Sequence, residues 1–127
     1  LKNVVFKEQV PRDALINLFN EFDLIVFPSI ALEAFSLTTI EAQAAGLPVA
    51  YALAGGIVNA VGDSGMVIEP NTPQQLAKVL DDIFREPTLL RQYQMKGYEN
   101  ALNFKMSKRR EALFRITKDL IKEKAKL

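Results

Sequence analysis

Two glutamates on either side of a predicted helix start are the residues in this sequence best suited to chemistry. Glu33 lies in a predicted loop, and Glu41 lies about one turn inside the helix that follows. Between them, the backbone N–H groups of Ser36, Leu37 and Thr38 lack intrahelical partners and lie at the positive end of the helix dipole. Two carboxylates flanking such an N–H cluster suit a ligand with phosphate in the middle and hydroxyl groups at both ends, as in a nucleotide sugar.

The same residues also have a purely structural interpretation. Acidic side chains near a helix start are favoured by the dipole alone, by about 0.3–1 kcal/mol each. Ser36 is also a suitable N-cap residue. Residue types and spacing leave both interpretations open and favour the structural one.

The elements that would position these residues form a strand, loop, helix, strand unit. The apolar run Leu24–Phe27 predicts a strand buried on both faces. The run Leu37–Ala45, closed by Gly46, predicts a helix with a glycine C-cap, and Pro48–Tyr51 predicts a second strand. Ligands of open parallel sheets bind beyond the carboxyl ends of the strands, which is where the loop carrying Glu33 would lie.

A pair of glycines, Gly55 and Gly56, follows the second strand and precedes a short predicted helix at Ile57–Val61. The free N–H groups at the start of that helix would face the same edge of the sheet. Both glycines are therefore secondary candidates for ligand binding. A plain tight turn explains them equally well.

The sequence as a whole, residues 1–127, predicts a single α/β domain with a Rossmann-like, doubly wound parallel sheet and flanking helices. The other predicted elements are a strand at Asn3–Phe6, a helix from Pro11–Asp13, a strand at Gly65–Ile68, a helix from Thr72 or Pro73, a helix at Thr88–Phe104 and a last helix capped by Ser107. The helix at 107–127 is amphipathic and carries eight basic and three acidic residues. A solvated helix face is the favoured interpretation, and peripheral contact with an anionic inner membrane surface is the alternative.

Composition excludes several classes of function. The chain has no cysteine and no histidine, so disulfides, thiolate metal sites and histidine general bases are excluded within it. No run is apolar and long enough to span a membrane. We therefore expect a cytoplasmic protein with no nucleic-acid partner.

The order P-S-x-x-x-E-x-F-x-x-x-x-x-E-A-x-A-A-G-x-P-V, followed by G-G, resembles the donor-site signature of retaining glycosyltransferases of the GT-B fold, closest to family four. Glu33 and Glu41 stand at the two ends of the E-x7-E motif of that family. The downstream segments Gly65–Pro70 and Asn71–Ala77 also fit the group. The resemblance covers about Asn3–Arg91.

This resemblance implies roles for the candidate residues. Glu41 would hold the ribose hydroxyls of a UDP-, GDP- or ADP-linked sugar, and Glu33 would lie near the sugar and stabilise the transferring hexosyl group. The backbone amides of Phe35, Ser36, Leu37 and Thr38 would cradle the pyrophosphate. Neither a metal nor a further cofactor is expected, because helix N-termini and basic side chains neutralise the phosphates in this family.

Three positions depart from the family pattern. Ala34 and Ser36 stand where the family usually has glycine, and Asn59 stands where glutamate is common. A side chain at position 36 would stand where the backbone approaches the donor. These departures motivate an alternative function, a non-catalytic glycosyltransferase-like binding or scaffolding subunit.

The resemblance also implies parts that precede this sequence, namely an acceptor domain and the first strands of the donor domain. We therefore predict an incomplete GT-B carboxyl-terminal domain that is inactive alone. It would expose a sheet edge or an open core face, so we expect it to form a homodimer or to aggregate when isolated. The upstream parts usually carry a basic residue pair that neutralises the pyrophosphate. Lys2, Lys7 and Arg12 do not match that motif and receive no role from it.

Overall fold

The computed structural model describes residues 2–69 and 71–124. Three short parallel strands form one sheet in the order β1-β2-β3, with helices packed around it. The strands are β1 (Ile25–Phe27), β2 (Val49–Ala52) and β3 (Met66–Ile68), and the helices are α1 (Arg12–Phe19), α2 (Leu37–Ala44), α3 (Ile57–Val61), α4 (Pro73–Arg85), α5 (Thr88–Ala101) and α6 (Met106–Lys124). The predicted α/β fold is confirmed, whereas the predictions at Pro70 and at 125–127 fall outside the described residues.

Helices cover both faces of the sheet, as the central strand β2 requires. All four residues of β2 are buried, and successive side chains point to opposite faces. Val49 and Tyr51 belong to an apolar cluster with residues of α1, α2 and α3. Ala50 belongs to a second cluster with Val79 and Ile83 of α4. The continuous apolar sequence of β2 therefore reflects burial from two sides.

The helix that carries Glu41 has the boundaries its sequence predicts, to within one residue. The segment L-T-T-I-E-A-Q-A forms α2, and the chain then turns through Gly46, whose φ of 84° is left-handed. Glycine adopts this conformation without a Cβ penalty, which confirms the predicted C-cap. The start of α4 is also confirmed, because the Thr72 hydroxyl accepts a hydrogen bond from the Gln75 amide at 3.2 Å and Pro73 is the first helical residue.

Two predictions about strands are wrong in the described structure. Asn3–Phe6 forms no strand, and the Val5 and Phe6 side chains are 81% and 91% exposed. A strand requires a neighbour for its ladder hydrogen bonds, and no described strand lies beside this segment. The residues of β1 are only half-buried. The reason is that, among the described residues, β1 pairs with β2 alone and lies at the edge of the sheet. An open apolar groove of about 370 Å³ lies between β1 and α1.

The last two helices also differ from their predictions. The helix α5 ends at Ala101 and is followed by one 3-10 turn, Leu102–Phe104, a common way for an α-helix to tighten at its end. Ser107 does not cap α6, because the non-helical residue before that helix is Lys105. The Lys105 carbonyl accepts a hydrogen bond from the Arg109 amide at 3.2 Å.

A buried polar network joins α2 to the helices around it. Gln43 is 1% exposed, and its Nε2 donates to the Ser64 hydroxyl at 2.7 Å. Its Oε1 accepts from Asn100 of α5 at 2.8 Å, and Asn100 also donates to the Ala60 carbonyl. Gly97 lies against this glutamine, and a Cβ there would be 3.0 Å from Gln43 Cγ. The network therefore fixes α2 relative to α5 and α3.

The hydroxyl of Tyr51 on β2 is also paired inside the fold. It donates to the Gly62 carbonyl at 2.9 Å. Burial raises the pKa of the Tyr51 hydroxyl, with smaller contributions in the same direction from Asp63 and Tyr93. The neutral form is therefore the one that the fold accommodates.

The terminal helix α6 leaves most of its apolar side chains in solvent. The exposed apolar residues of this helix are Met106, Leu113, Phe114, Ile116, Leu120 and Ile121. Within residues 2–69 and 71–124, no helix has both the length and the apolar character needed to cross a membrane. Peripheral membrane contact by α6 and homodimer formation stay predictions.

Candidate functional site

The candidate site lies at the carboxyl edge of the sheet, where the loop after β1 meets the turn after β2. Glu33 and Gly55 form a parallel bridge there, outside the three strands. The Glu33 amide donates to the Ala54 carbonyl at 3.4 Å, and the Glu33 carbonyl accepts from the Gly56 amide at 2.6 Å. The backbone of the loop is therefore held on both sides of Glu33 by the turn.

The glycine pair allows this close approach of two backbones. Gly55 has a left-handed φ of 68°, whereas Gly56 has an ordinary φ of −69°. A Cβ on Gly56 would be 1.9 Å from the Ala34 carbonyl oxygen, and a Cβ on Gly55 would be 2.6 Å from that of Glu33. The predicted turn is present, and the Gly56 amide donates to the protein. The glycines therefore position the loop that carries Glu33, a role that the sequence did not indicate.

The Glu33 side chain is half-buried and has one hydrogen-bond partner in the described part of the chain. The Ser29 hydroxyl donates to Glu33 Oε1 at 2.8 Å. The backbone near Ser29 is held in turn by Asn71, whose Nδ2 donates to the Pro28 and Ser29 carbonyls at 3.2 Å each. The carboxylate orientation is thus supported by residues that follow β1 and β3.

The first turn of α2 begins where the sequence predicts. Ser36 occupies the N-cap position, but its side chain makes no capping hydrogen bond and is 5% exposed. Its φ of −99° is ordinary for a residue with a side chain, so the backbone at position 36 does not require glycine. The Thr39 hydroxyl donates to the Ser36 carbonyl at 2.7 Å and is buried. Thr38 is half-buried and lines an open pocket.

That pocket, of about 520 Å³, is also lined by Glu41 and Leu37 of α2 and by the segment that leads into α1. Glu41 lies one turn after the helix start, and its side chain is 30% exposed. Arg12 Nη2 donates to Glu41 Oε1 and forms an ion pair with it across the pocket. Arg12 belongs to this candidate site, and sequence reasoning missed it because a single basic residue 29 positions before Glu41 carries no motif.

The structure distributes the predicted residues over two neighbouring regions. Glu41, Leu37 and Thr38 line the pocket with Arg12, whereas Glu33 lies in the loop bound by the glycine pair. Phe35 is partly exposed and packs on Phe104, with ring centroids 5.6 Å apart. Two carboxylates thus flank the amide-rich start of α2, one on the loop side and one on the helix side.

Fold and site together define an α/β domain whose polar side chains gather at the carboxyl edge of a parallel sheet. Residues 1–100 match the family model described as Glycosyl transferases group 1, and the chain belongs to that family. It is 39% identical over 88 residues to the D-inositol 3-phosphate glycosyltransferase of Streptomyces avermitilis, covering 68% of this chain and 19% of the relative. It is 31% identical over 103 residues to the enzyme of that name from Corynebacterium diphtheriae, covering 80% of this chain and 24% of the relative.

Solved structures show the same fold. The sucrose-phosphate synthase of Thermosynechococcus elongatus is similar with a TM-score of 0.82 and 25% identity, over 96% of this chain and 31% of that one. A glycosyltransferase of Rickettsia africae is similar with a TM-score of 0.76 and 29% identity, over 88% of this chain and 31% of that one. A protein of Anabaena solved in complex with UDP is similar with a TM-score of 0.61 and 27% identity, over 66% of this chain and 24% of that one. The GT-B-like fold is confirmed, and the chain spans between about a fifth and a third of the length of these relatives.

Proposed function

We propose that this chain is the nucleotide-sugar-binding part of a retaining glycosyltransferase that transfers a hexose from an activated donor. The observation that carries the proposal is the placement of two carboxylates around the start of α2. Glu41 shares an open pocket with the first helical turn, and Glu33 is held in the adjoining loop by the glycine pair. This arrangement offers separate contacts for the ribose, the pyrophosphate and the sugar of one extended ligand.

Each part of the site has a chemical role in this proposal. The Glu41 carboxylate accepts hydrogen bonds from the ribose hydroxyls, and the amides of the Phe35–Thr38 segment bind the pyrophosphate at the positive end of the α2 dipole. Glu33 stabilises the positive charge that develops on the sugar as the bond to the diphosphate breaks. Fixed charges act strongly at such a site because they need no reorganisation during the reaction.

A nucleoside diphosphate sugar is the class of donor that fits, and the neighbour solved with UDP supports a uridine nucleotide first. In this proposal the helix start and basic side chains neutralise the phosphates, and no metal is needed. The described residues supply the donor side of the reaction. Transfer is therefore measured on the complete natural protein that carries them.

Calorimetric titration of the complete protein with UDP-, GDP- and ADP-sugars tests the proposal. Binding of one of them, lost in Glu41→Ala and retained in Glu33→Gln, is the expected result, because Glu41 contacts the nucleotide and Glu33 the sugar. Glu33→Gln should instead abolish turnover. Glu99→Ala, which removes an exposed glutamate from α5, is the matched control and should leave both properties unchanged.

Two outcomes would contradict this function. Well-folded protein that binds none of the three donor classes would remove the nucleotide-sugar assignment. Donor binding without any turnover in the wild-type protein would instead support the non-catalytic scaffolding subunit that Ala34, Ser36 and Asn59 motivated.

A further inference from the structure

We infer that Arg12 is a positioning residue for the Glu41 carboxylate and thereby a determinant of ribose recognition. This inference rests on the proposed function, which assigns Glu41 to the ribose hydroxyls. The observation behind it is one contact, in which Arg12 Nη2 donates to Glu41 Oε1 inside the pocket that both residues line. It adds to the donor site a residue that no motif includes.

The two side chains approach each other from two packed helices. Arg12 is the first residue of α1, directly after Pro11, whose ring fixes φ at −55°. Glu41 lies in the middle of α2, and α1 packs against α2. Leu15, one turn after Arg12, belongs to the core that α1 and α2 share and lines the same pocket. The backbones that carry Arg12 and Glu41 are therefore held by two packed helices rather than by a loose loop.

The contact uses one oxygen of the carboxylate. Within the described part of the chain, Arg12 is the one side chain that hydrogen-bonds Glu41, and it does so through Oε1. Within the same residues Oε2 makes no hydrogen bond, and each oxygen of a carboxylate has capacity for about two, so Oε2 is available to accept hydroxyl groups. A glutamate without Arg12 would sample several rotamers, and ordering it would oppose ligand binding.

The ion pair between Arg12 and Glu41 should contribute little to the stability of the fold. The Arg12 side chain is 80% exposed, and an ion pair in such a setting contributes little to folding. A guanidinium presents its donors in a rigid planar fork, whereas an ammonium group is a point charge on a flexible stem, so arginine loses less side-chain freedom in such a contact than lysine does. We therefore expect the effect of Arg12 in ligand binding and not in the melting temperature.

The test compares ribose-containing and ribose-deficient nucleotides on the complete natural protein. UDP, GDP and ADP are titrated, and the tightest of the three is compared with its 2′,3′-dideoxy counterpart. Arg12→Ala should weaken binding of the ribonucleotide about fivefold to tenfold, which lies in the lower part of the range of coupling between contacting polar side chains. It should leave binding of the dideoxy nucleotide unchanged, because that ligand lacks the hydroxyls that Glu41 would bind. The affinity of Arg12→Lys for the ribonucleotide should lie between that of the wild type and that of Arg12→Ala.

Three further variants complete the design: Glu41→Gln alone, Glu41→Gln combined with Arg12→Ala, and Arg85→Ala. In a Glu41→Gln background, Arg12→Ala should have no additional effect, because the carboxylate that it positions is gone. Arg85→Ala removes an equal charge from the last turn of α4 and should change neither affinity. Melting temperatures of all variants should stay close to that of the wild type.

Several results would overturn the inference. Equal losses for the ribonucleotide and the dideoxy nucleotide would mean that Arg12 contacts phosphate or base directly. Tighter ribonucleotide binding by Arg12→Ala would mean that Arg12 competes with the ribose for Glu41. An effect of Glu41→Gln without any effect of Arg12→Ala would end the inference and leave the proposed function standing, whereas no effect of Glu41→Gln would remove the ribose assignment itself.

Discussion

Replacing Gly56 by alanine should displace the loop that carries Glu33 and reduce turnover without removing nucleotide binding. The backbone at Gly56 has φ −69°, which alanine adopts freely, so the substitution introduces no dihedral strain. The effect arises from the new Cβ, which would be 1.9 Å from the Ala34 carbonyl oxygen. Cβ atoms do not approach other heavy atoms closer than 3.0 Å, so the two backbones must separate by about 1.1 Å, the difference between these distances.

This separation sets the expected magnitude. It lengthens the 2.6 Å hydrogen bond from the Gly56 amide to the Glu33 carbonyl and moves the neighbouring carboxylate with it. A misplacement of about 1 Å at a reacting centre reduces rate about a hundredfold, which corresponds to roughly 2.7 kcal/mol in the transition state. Overpacking at the turn should also lower the free energy of unfolding by about 1–3 kcal/mol. The pocket around Glu41 lies on the other side of the α2 start and should keep most of its nucleotide affinity.

The assay measures the release of nucleoside diphosphate from the nucleotide sugar by the complete natural protein. Calorimetric titration of the same variants gives their affinity for the free nucleotide. Gly62→Ala is the matched control. A Cβ there meets nothing within 4 Å, but φ is 54° with ψ −138°, so this alanine should cost about 1–3 kcal/mol through backbone strain alone. Gly62→Ala should therefore lose stability and keep its rate below its melting temperature. Wild-type rates in Gly56→Ala, or equal rate losses in both variants, would refute the reasoning.

Three further predictions concern the fold that supports the site. Gln43→Leu should lower the free energy of unfolding by about 2 kcal/mol in urea denaturation, because Ser64 and Asn100 each lose a hydrogen bond to this buried glutamine. Burial raises the pKa of the Tyr51 hydroxyl, and the unfolded tyrosine ionises near pH 10. The stability that this shift contributes is therefore complete below about pH 10 and declines as the pH rises through the folded pKa, so the stability of the wild type should fall relative to that of Tyr51→Phe under alkaline conditions. Thr72→Ala should cost about 1 kcal/mol through loss of the N-cap of α4, measured by thermal melting.

Each of these three has an outcome that contradicts it. A free energy of unfolding within about 0.5 kcal/mol of the wild type in Gln43→Leu, the range of an ordinary surface change, would mean that the network is not stabilising. If the stabilities of the wild type and of Tyr51→Phe change in parallel above about pH 10, the raised pKa of Tyr51 is contradicted. A loss in Thr72→Ser equal to that in Thr72→Ala would show that the hydroxyl cap is not the cause.

The central unit could be predicted from sequence because local and tertiary preferences agree there. The run at β2 is apolar enough to be buried from two sides, and Gly46 is the left-handed residue that ends α2. Predictions failed where the outcome depends on what lies beside a segment. Asn3–Phe6 has the composition of a strand but no described strand to pair with, and Ser107 has the chemistry of an N-cap but follows the residue that begins α6.

The contacts of the candidate site were predictable only in part, for a related reason. The spacing of Glu33 and Glu41 is visible in the sequence, because both flank one helix start. The Arg12 contact depends on how α1 packs against α2, and the contact of Gly56 with Ala34 depends on a loop closing onto a turn 22 residues later in the chain. Neither contact is marked in the sequence by a hydrophobic period or by a motif. Sequence patterns therefore did not predict which backbones and side chains of separate elements lie in contact.

The two carboxylates have separate supports, and this predicts how their losses combine. Glu33 is held through backbone contacts with Gly56 on the β2 side, whereas Glu41 is held through Arg12 on the α1 side. Effects of sites without shared partners add in free energy to within about 0.5 kcal/mol. The double variant Gly56→Ala with Arg12→Ala should therefore lose kcat/KM for donor hydrolysis by about the product of the two single losses. A double variant no worse than Gly56→Ala alone would mean that both supports act through one moving element, and the first turn of α2 would then be that element.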